Sequence, residues 1–444
     1  MKFINLFSAR LAIAASFALS LLLVPVCLTS NASAQTETIL DDFLGGNSVY
    51  PNGSYPQGPL VFDSSGNIYG TTNAGGVATD NCSGNGTGCG VVFKLTPNLS
   101  GGWTQQTLHR FTGNLDGGRP TSGVILDSAG NLYGSAGQGG SANSGPGVIF
   151  KLTPLAGGGY QESIVHSFFG LNGGEGPSSL VFDQSGNLYG ITREGGDYNA
   201  TNFSCNNAGC GLVFKLTPNG SGPWTETILH AFTGNEDGAI PEGLSIDAAG
   251  SLYGTTFAGG NPSCNCGVVY RLSPASNGGW RESVVHAFNG KDGGFSESGV
   301  SLDAAGNLYG MSQNGGTNGC GVVYELAKNA NGYTPTLVHA FGASGDGCDP
   351  ENAGLTVDQG GNLYGATAVG GDPSCGSTGC GVVFELSPQA GGAWSEIIFW
   401  SFTGPPADGQ LPQGAPILDA SGNIYGSTSS GGTDDGGTIY EIVP

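Results

Sequence analysis

Five histidines, His109, His166, His230, His286 and His339, are the side chains here best suited to move protons near neutral pH. Each stands two residues before a phenylalanine, as in Leu229-His230-Ala231-Phe232. Two further copies of that segment carry Asp41 and Trp400 in the same place. A catalytic histidine is one residue at one site, so five equivalent ones read as structural. The same argument covers Glu162, Glu226, Glu282 and Glu396, four residues before that place. No G-x-S-x-G elbow is present, which weakens a serine-hydrolase reading. The Asp-Gly pairs at Asp116, Asp237, Asp292, Asp346 and Asp408 could contribute oxygens to calcium sites, although ordinary turn chemistry accounts for them. No other cofactor or metal is expected. What breaks the repetition is more informative: Arg193, Glu194, Asp197, Tyr198 and Phe203 have no equivalents elsewhere. Exposed aromatic rings beside polar groups suit a sugar or peptide, so these five are the candidate binding residues.

The elements that must position these residues are repeats. Asp183-Gln184-Ser185-Gly186-Asn187-Leu188-Tyr189-Gly190 recurs from Asp63, Asp127, Asp247, Asp303, Asp358 and Asp419. Around it, Ser179–Asp183, Asn187–Thr192, Gly211–Leu216 and Trp224–Phe232 are apolar runs bounded by Gly, Pro, Asn and Asp. Such runs read as strands, here called a, b, c and d, and no stretch has a helical period of helical length. A four-stranded antiparallel meander cannot cover both of its faces alone, and radial stacking gives each face a neighbour. The expected fold is therefore all-β, a seven-bladed β-propeller. Each blade supplies aromatics such as Tyr189, Phe214 and Phe232 to fill the spaces between sheets. The last repeat ends on a strand c, Gly437–Ile442, with no strand d after it. Thr36-Glu37-Thr38-Ile39-Leu40-Asp41-Asp42-Phe43 matches strand d and is expected to complete the seventh blade, removing an open sheet edge.

The motifs G-N-L-Y-G, Gly90–Pro97 (GVVFKLTP) and Leu229–Pro241 (L-H-x-F-T-G followed by D-G-x-x-P) resemble the GloVer tandem repeat of bacterial "choice-of-anchor" surface proteins. The a–b unit is more loosely similar to NHL and gluconolactonase-type propeller repeats. The resemblance implies an exported β-propeller and no established activity.

Residues 1–34 read as a signal peptide. Lys2 and Arg10 precede an apolar run that ends before Ala32-Ser33-Ala34, leaving 35–444 as one propeller domain with no transmembrane segment. Acids outnumber bases 34 to 12, for a net charge of −22, so nucleic acid and anionic membranes are unsuited as partners. Ten cysteines remain beyond Cys27, and exported proteins favour disulfides. Cys82 with Cys89, Cys205 with Cys210, and Cys375 with Cys380 each share a b–c loop; Cys320 can reach Cys348 on the same face. Cys264 and Cys266 could pair only in a tight ring. The expected protein is a monomer outside the cytoplasm, extracellular, on the cell surface or in the periplasm. It is expected to be a non-enzymatic binding or scaffold module for a glycan or protein ligand. The competing class is a lactonase, lyase or glycosidase at the central channel, where strand a does not visibly supply carboxylates.

Overall fold

The computed structural model describes residues 35–44, 51–76, 82, 87–140, 145–170, 173–196, 205, 208–220, 222–342, 345–350, 354–376 and 378–444. Seven antiparallel sheets follow one another along the chain, each in the order a-b-c-d. In blade 3 these strands are Glu175–Phe182, Leu188–Glu194, Leu212–Asn219 and Gly222–Ala231. Strand a in this blade starts earlier than the apolar pattern predicts, whereas in blades 5 and 6 it is only Ser301–Leu302 and Thr356–Val357. In blade 2 it is split into Gly118–Pro120 and Ile125–Leu126. Its first part carries polar residues and register shifts, as between Ser178 and Leu180, so no alternation marks it in the sequence.

Strands b and c lie in the interior of each blade. In blade 3 Leu212, Val213, Phe214 and Leu216 are all buried, which is why strand c reads as a near-continuous apolar run. The glycine of each N-L-Y-G lies under the ring of the same blade's strand c. A Cβ on Gly190 would collide with Phe214, and one on Gly254 with Tyr270. Glycine is required there because another group occupies the space, not for its dihedral freedom.

Blade joins blade through one repeated contact, the strand-d phenylalanine against the next blade's strand-c ring. The pairs are Phe111–Phe150, Phe168–Phe214, Phe232–Tyr270, Phe288–Tyr324, Phe341–Phe384 and Phe402–Tyr440, with centroids 5.0–5.3 Å apart. The seventh, Phe43–Phe93 at 5.3 Å, closes the ring. Edge-to-face pairs of this kind contribute about 0.5–1.5 kcal/mol each beyond their buried area. Closure rests on the first strand, Thr36–Asp42, which pairs antiparallel with Thr438–Val443 and sets Ile39 opposite Tyr440. Among the described residues, no helix is long and apolar enough to cross a membrane.

The a–b turns share one construction. The Asp183 carboxylate accepts the Ser185 and Asn187 backbone N–H groups at 2.8 and 2.9 Å, the Asn187 side-chain amide at 2.7 Å and the Tyr189 hydroxyl at 3.1 Å. Burial raises this carboxyl, but the four hydrogen bonds outweigh it and leave it below the ordinary range. These aspartates build turns on the face opposite the b–c loops.

Candidate binding site in the central channel

All seven strands a converge on one cavity of about 450 Å³ around the axis. The D-G-x-x-P segment explains how each chain enters it. The second residue after Gly in that segment adopts a left-handed backbone in six blades: Tyr55, Arg119, Ile240, Phe295, Asp349 and Leu411, with φ of 51–58°. Gly176 takes this place in blade 3, with φ 63°. Each of these residues donates its N–H to the carbonyl closing the preceding blade's b–c loop, for example Arg119 to Cys89 at 2.8 Å and Ile240 to Cys210 at 2.9 Å. A non-glycine residue in this region costs on the order of 1–3 kcal/mol, so its recurrence marks a turn that the fold enforces.

Two residues further on, the blades place side chains of four types in the cavity wall: Gln57, Thr121, Ser178, Glu242, Glu297 and Gln413. The blade-6 counterpart by sequence, Glu351, lies outside the described residues. Below this ring the backbones crowd together. A Cβ on Gly243 would run into the main chain at Gly299, and one on Gly414 into the main chain at Gly58. Hydroxyls stitch neighbouring blades around the wall: Thr71 donates to the Ser122 carbonyl at 2.9 Å and Thr255 to the Ser298 carbonyl at 2.8 Å.

The charged part of the ring lies in blades 3 to 5. Arg193, at the end of strand b, extends over the channel wall and its Nη2 meets Glu242 Oε1 at 2.8 Å. The glutamate side chain is 8% exposed and the arginine 47%. Burial raises the Glu242 carboxyl above its ordinary range; the guanidinium pulls it down and Glu297 pushes it up. The Tyr270 hydroxyl, fully buried beneath Gly254, has no hydrogen-bond partner and feels the Glu242 charge. The ring thus offers amide donors and acceptors, hydroxyls, two carboxyls and a guanidinium within a space the size of a small-ligand pocket.

The expectation that strand a supplies no carboxylates to the channel is therefore corrected: Glu242 and Glu297 are both there. No alternation marks either in the sequence: Glu242 lies in the irregular first half of Ala239–Ile246, and Glu297 precedes the short strand Ser301–Leu302. Their signal is the fourth position after the glycine of the Asp-Gly pair, where the copies cease to agree. Of the five candidate residues in blade 3, Arg193 reaches the channel and Glu194 is exposed at the end of strand b. Asp197, Tyr198 and Phe203 lie outside the described residues.

The histidines lie at the rim, between blades. His109, His230, His286 and His339 each bring Nε2 to the d–a turn aspartate of their own blade: Asp116, Asp237, Asp292 and Asp346, at 3.2–3.6 Å. These turn aspartates also cap the backbone. Asp237 accepts the Thr233 N–H at 2.9 Å, and its other oxygen accepts the Thr233 hydroxyl. Imidazole, N–H and hydroxyl groups around these carboxylates are the partners of ordinary capped turns. An open cleft of about 960 Å³ runs past His230, Asp237 and Glu282. Disulfides join Cys82–Cys89, Cys205–Cys210, Cys320–Cys348 and Cys375–Cys380, the pairs expected from the loops, and also Cys264–Cys266.

The Gloeobacter/Verrucomicrobia repeat family matches this sequence over residues 28–208 and 198–440. No curated protein matches. Solved structures similar to this chain include a gluconolactonase from Xanthomonas campestris, at 11% identity and TM-score 0.40, with 92% of this chain and 97% of that one covered. The extracellular domain of a hybrid two-component system from B. thetaiotaomicron matches at 12% identity and TM-score 0.49, covering 89% of this chain and 39% of that one. A surface component of the type-IX secretion system of Porphyromonas gingivalis matches at 13% identity and TM-score 0.49, with 90% and 48% covered. At such identities the likeness concerns the fold alone.

Proposed function

The chain belongs to the Gloeobacter/Verrucomicrobia repeat family, and from that premise we propose that it is an exported, non-enzymatic binding module whose ligand is a glycan seated in the channel mouth. The observation that carries this reading is the ring of unlike hydrogen-bonding groups around one axis: Gln57, Ser178, Glu242, Glu297 and Gln413, with Arg193 above them. A polyhydroxylated neutral ligand satisfies mixed donors and acceptors of this kind, whereas a polyanion is repelled by a chain of net charge −22. Glu194, Asp197, Tyr198 and Phe203 would extend the contact from the blade-3 loop that follows Arg193. Five disulfides support export, since they persist in oxidising compartments. Mass spectrometry of the secreted product is expected to find Gln35 at its N-terminus.

A second reading, a propeller-type lactonase, lyase or glycosidase, is favoured by one observation, the raised carboxyl of Glu242 beside Glu297. A glycan array probed with the wild-type protein and with Glu242→Gln separates the two. The binding module retains intact glycans, and the variant loses them. The enzyme releases product, detected by chromatography of the eluate, and the variant does not. Neither retention nor product from the wild type would refute both.

A further inference from the structure

We propose that the interface between blades 5 and 6 holds a site for a first-row divalent cation, zinc before the others, formed by His339, Asp346 and Glu396. Their ligand atoms all lie within 4.8 Å of one another. His339 Nε2 is 3.2 Å from Asp346 Oδ2 and 3.6 Å from Glu396 Oε1. Zinc bonds of about 2.0–2.1 Å in tetrahedral geometry place donor atoms roughly 3.3 Å apart, close to the spacing of His339 from each carboxylate. One imidazole nitrogen with two carboxylates suits zinc and its neighbours; calcium asks for six to eight oxygens.

A second observation points the same way. Glu396 Oε1 is shut away from water and accepts no hydrogen bond. Leaving a buried acceptor unpaired costs about 1–3 kcal/mol, more for a charged group, and a cation removes that cost. The other two ligands are braced. Asp346 accepts the Gly342 N–H at 3.0 Å and the Gly347 N–H at 2.6 Å, and Phe341 packs edge-on against the His339 ring at 4.8 Å. Three protein ligands leave the fourth position open to water or to a donor from a bound molecule.

The repeat supplies comparisons within the same molecule. The same three residue types recur at alternate interfaces, as His109, Asp116 and Glu162, and as His230, Asp237 and Glu282, with an unpartnered Oε1 on each glutamate, but among the described residues only the His339 set brings its three ligand atoms within 4.8 Å. Between blades 4 and 5 the glutamate's place is taken by Pro335, and between blades 2 and 3 the aspartate's by Gly173. Between blades 6 and 7 the histidine is replaced by Trp400, whose Nε1–H donates to Asp408 at 3.3 Å and which has no lone pair for a metal.

The test uses the untagged protein, stripped with EDTA, dialysed and titrated with ZnCl₂ by calorimetry, with CaCl₂ as a parallel arm and metal content measured after gel filtration. Zinc is expected to be retained at one to three equivalents, with a Kd of about micromolar or tighter, and calcium not retained. Glu396→Gln should remove one equivalent. Glu37→Gln, at the Trp400 interface, should remove none. Co²⁺ should give the intense visible absorption of a tetrahedral site, weakened in Glu396→Gln. Folded wild type that retains no zinc overturns the proposal, as does Glu396→Gln with an undiminished zinc count. If Glu396→Gln does not fold, the wild-type titration and the cobalt spectrum decide alone.

Discussion

Axis and rim are built by the same seven repeats, yet they treat sequence in opposite ways. At the rim, five of seven blades place a histidine at one position, and four of those five set it against a turn aspartate. At the axis, one position reads Gln57, Thr121, Ser178, Glu242, Glu297 and Gln413 around the described blades. The difference follows from symmetry. Each blade interface meets only its own two neighbours, so one good solution can be reused. The axis is shared by all blades, so a single asymmetric ligand there meets side chains from several blades at once, each free to differ. Repetition marks what holds the ring together, and divergence marks where it can discriminate.

The largest expected effect comes from cutting the layer that supports both regions. Phe214→Ala removes a buried ring that packs on Phe168 and covers Gly190. It should cost about 3–5 kcal/mol in guanidinium unfolding. A loss below about 1 kcal/mol would mean that this stack is not the common support. Next is Glu242→Gln, which should weaken glycan affinity at least about tenfold, roughly 1.4 kcal/mol, while leaving the melting temperature unchanged. A melting shift without an affinity change would return the axis to the same status as the rim.

A smaller effect, seen as a pH dependence, belongs to the rim. Burial lifts the Glu226 carboxyl from 4.5 to about 7 beside His166, whose own pKa burial lowers. Between those two values the folded protein holds a proton that the unfolded chain has released. Glu226 therefore favours folding below pH 4.5 in relative terms, and that contribution is lost as pH rises to about 7. Glu226→Gln should flatten this slope by about 1 kcal/mol, since the half-open cleft screens the charge. Unfolding curves at pH 5 and pH 8 measure it, and an unchanged slope would exclude Glu226 as its source. The smallest effect lies at neither region. Asp183→Ala in the a–b turn should cost about 1 kcal/mol through its lost backbone hydrogen bonds and leave both glycan affinity and the pH slope alone.

Blade number, strand order and closure were legible in the chain because each rests on a local, repeated signal. Asp-x-x-G followed by Asn or Ser, Leu or Ile, Tyr and Gly marks a turn seven times, strand c announces its double burial as runs such as Gly-Val-Val-Phe, and Thr36–Phe43 carries the pattern of the strand the last blade lacks. Three of the five disulfides followed from loop membership, and Cys320–Cys348 from two loop types sharing one face. The channel ring and the rim clusters were not legible in the same way. Glu242 and Arg193 are 49 positions apart in sequence order and meet only because two strands from adjacent blades reach one axis. His339 and Glu396 belong to different blades, so no motif within one repeat contains both. A repeat's own sequence decides how one sheet forms and which faces it must cover. What stands opposite each side chain is decided by the angle and order in which the sheets close into a ring, and that is a property of the tertiary structure alone.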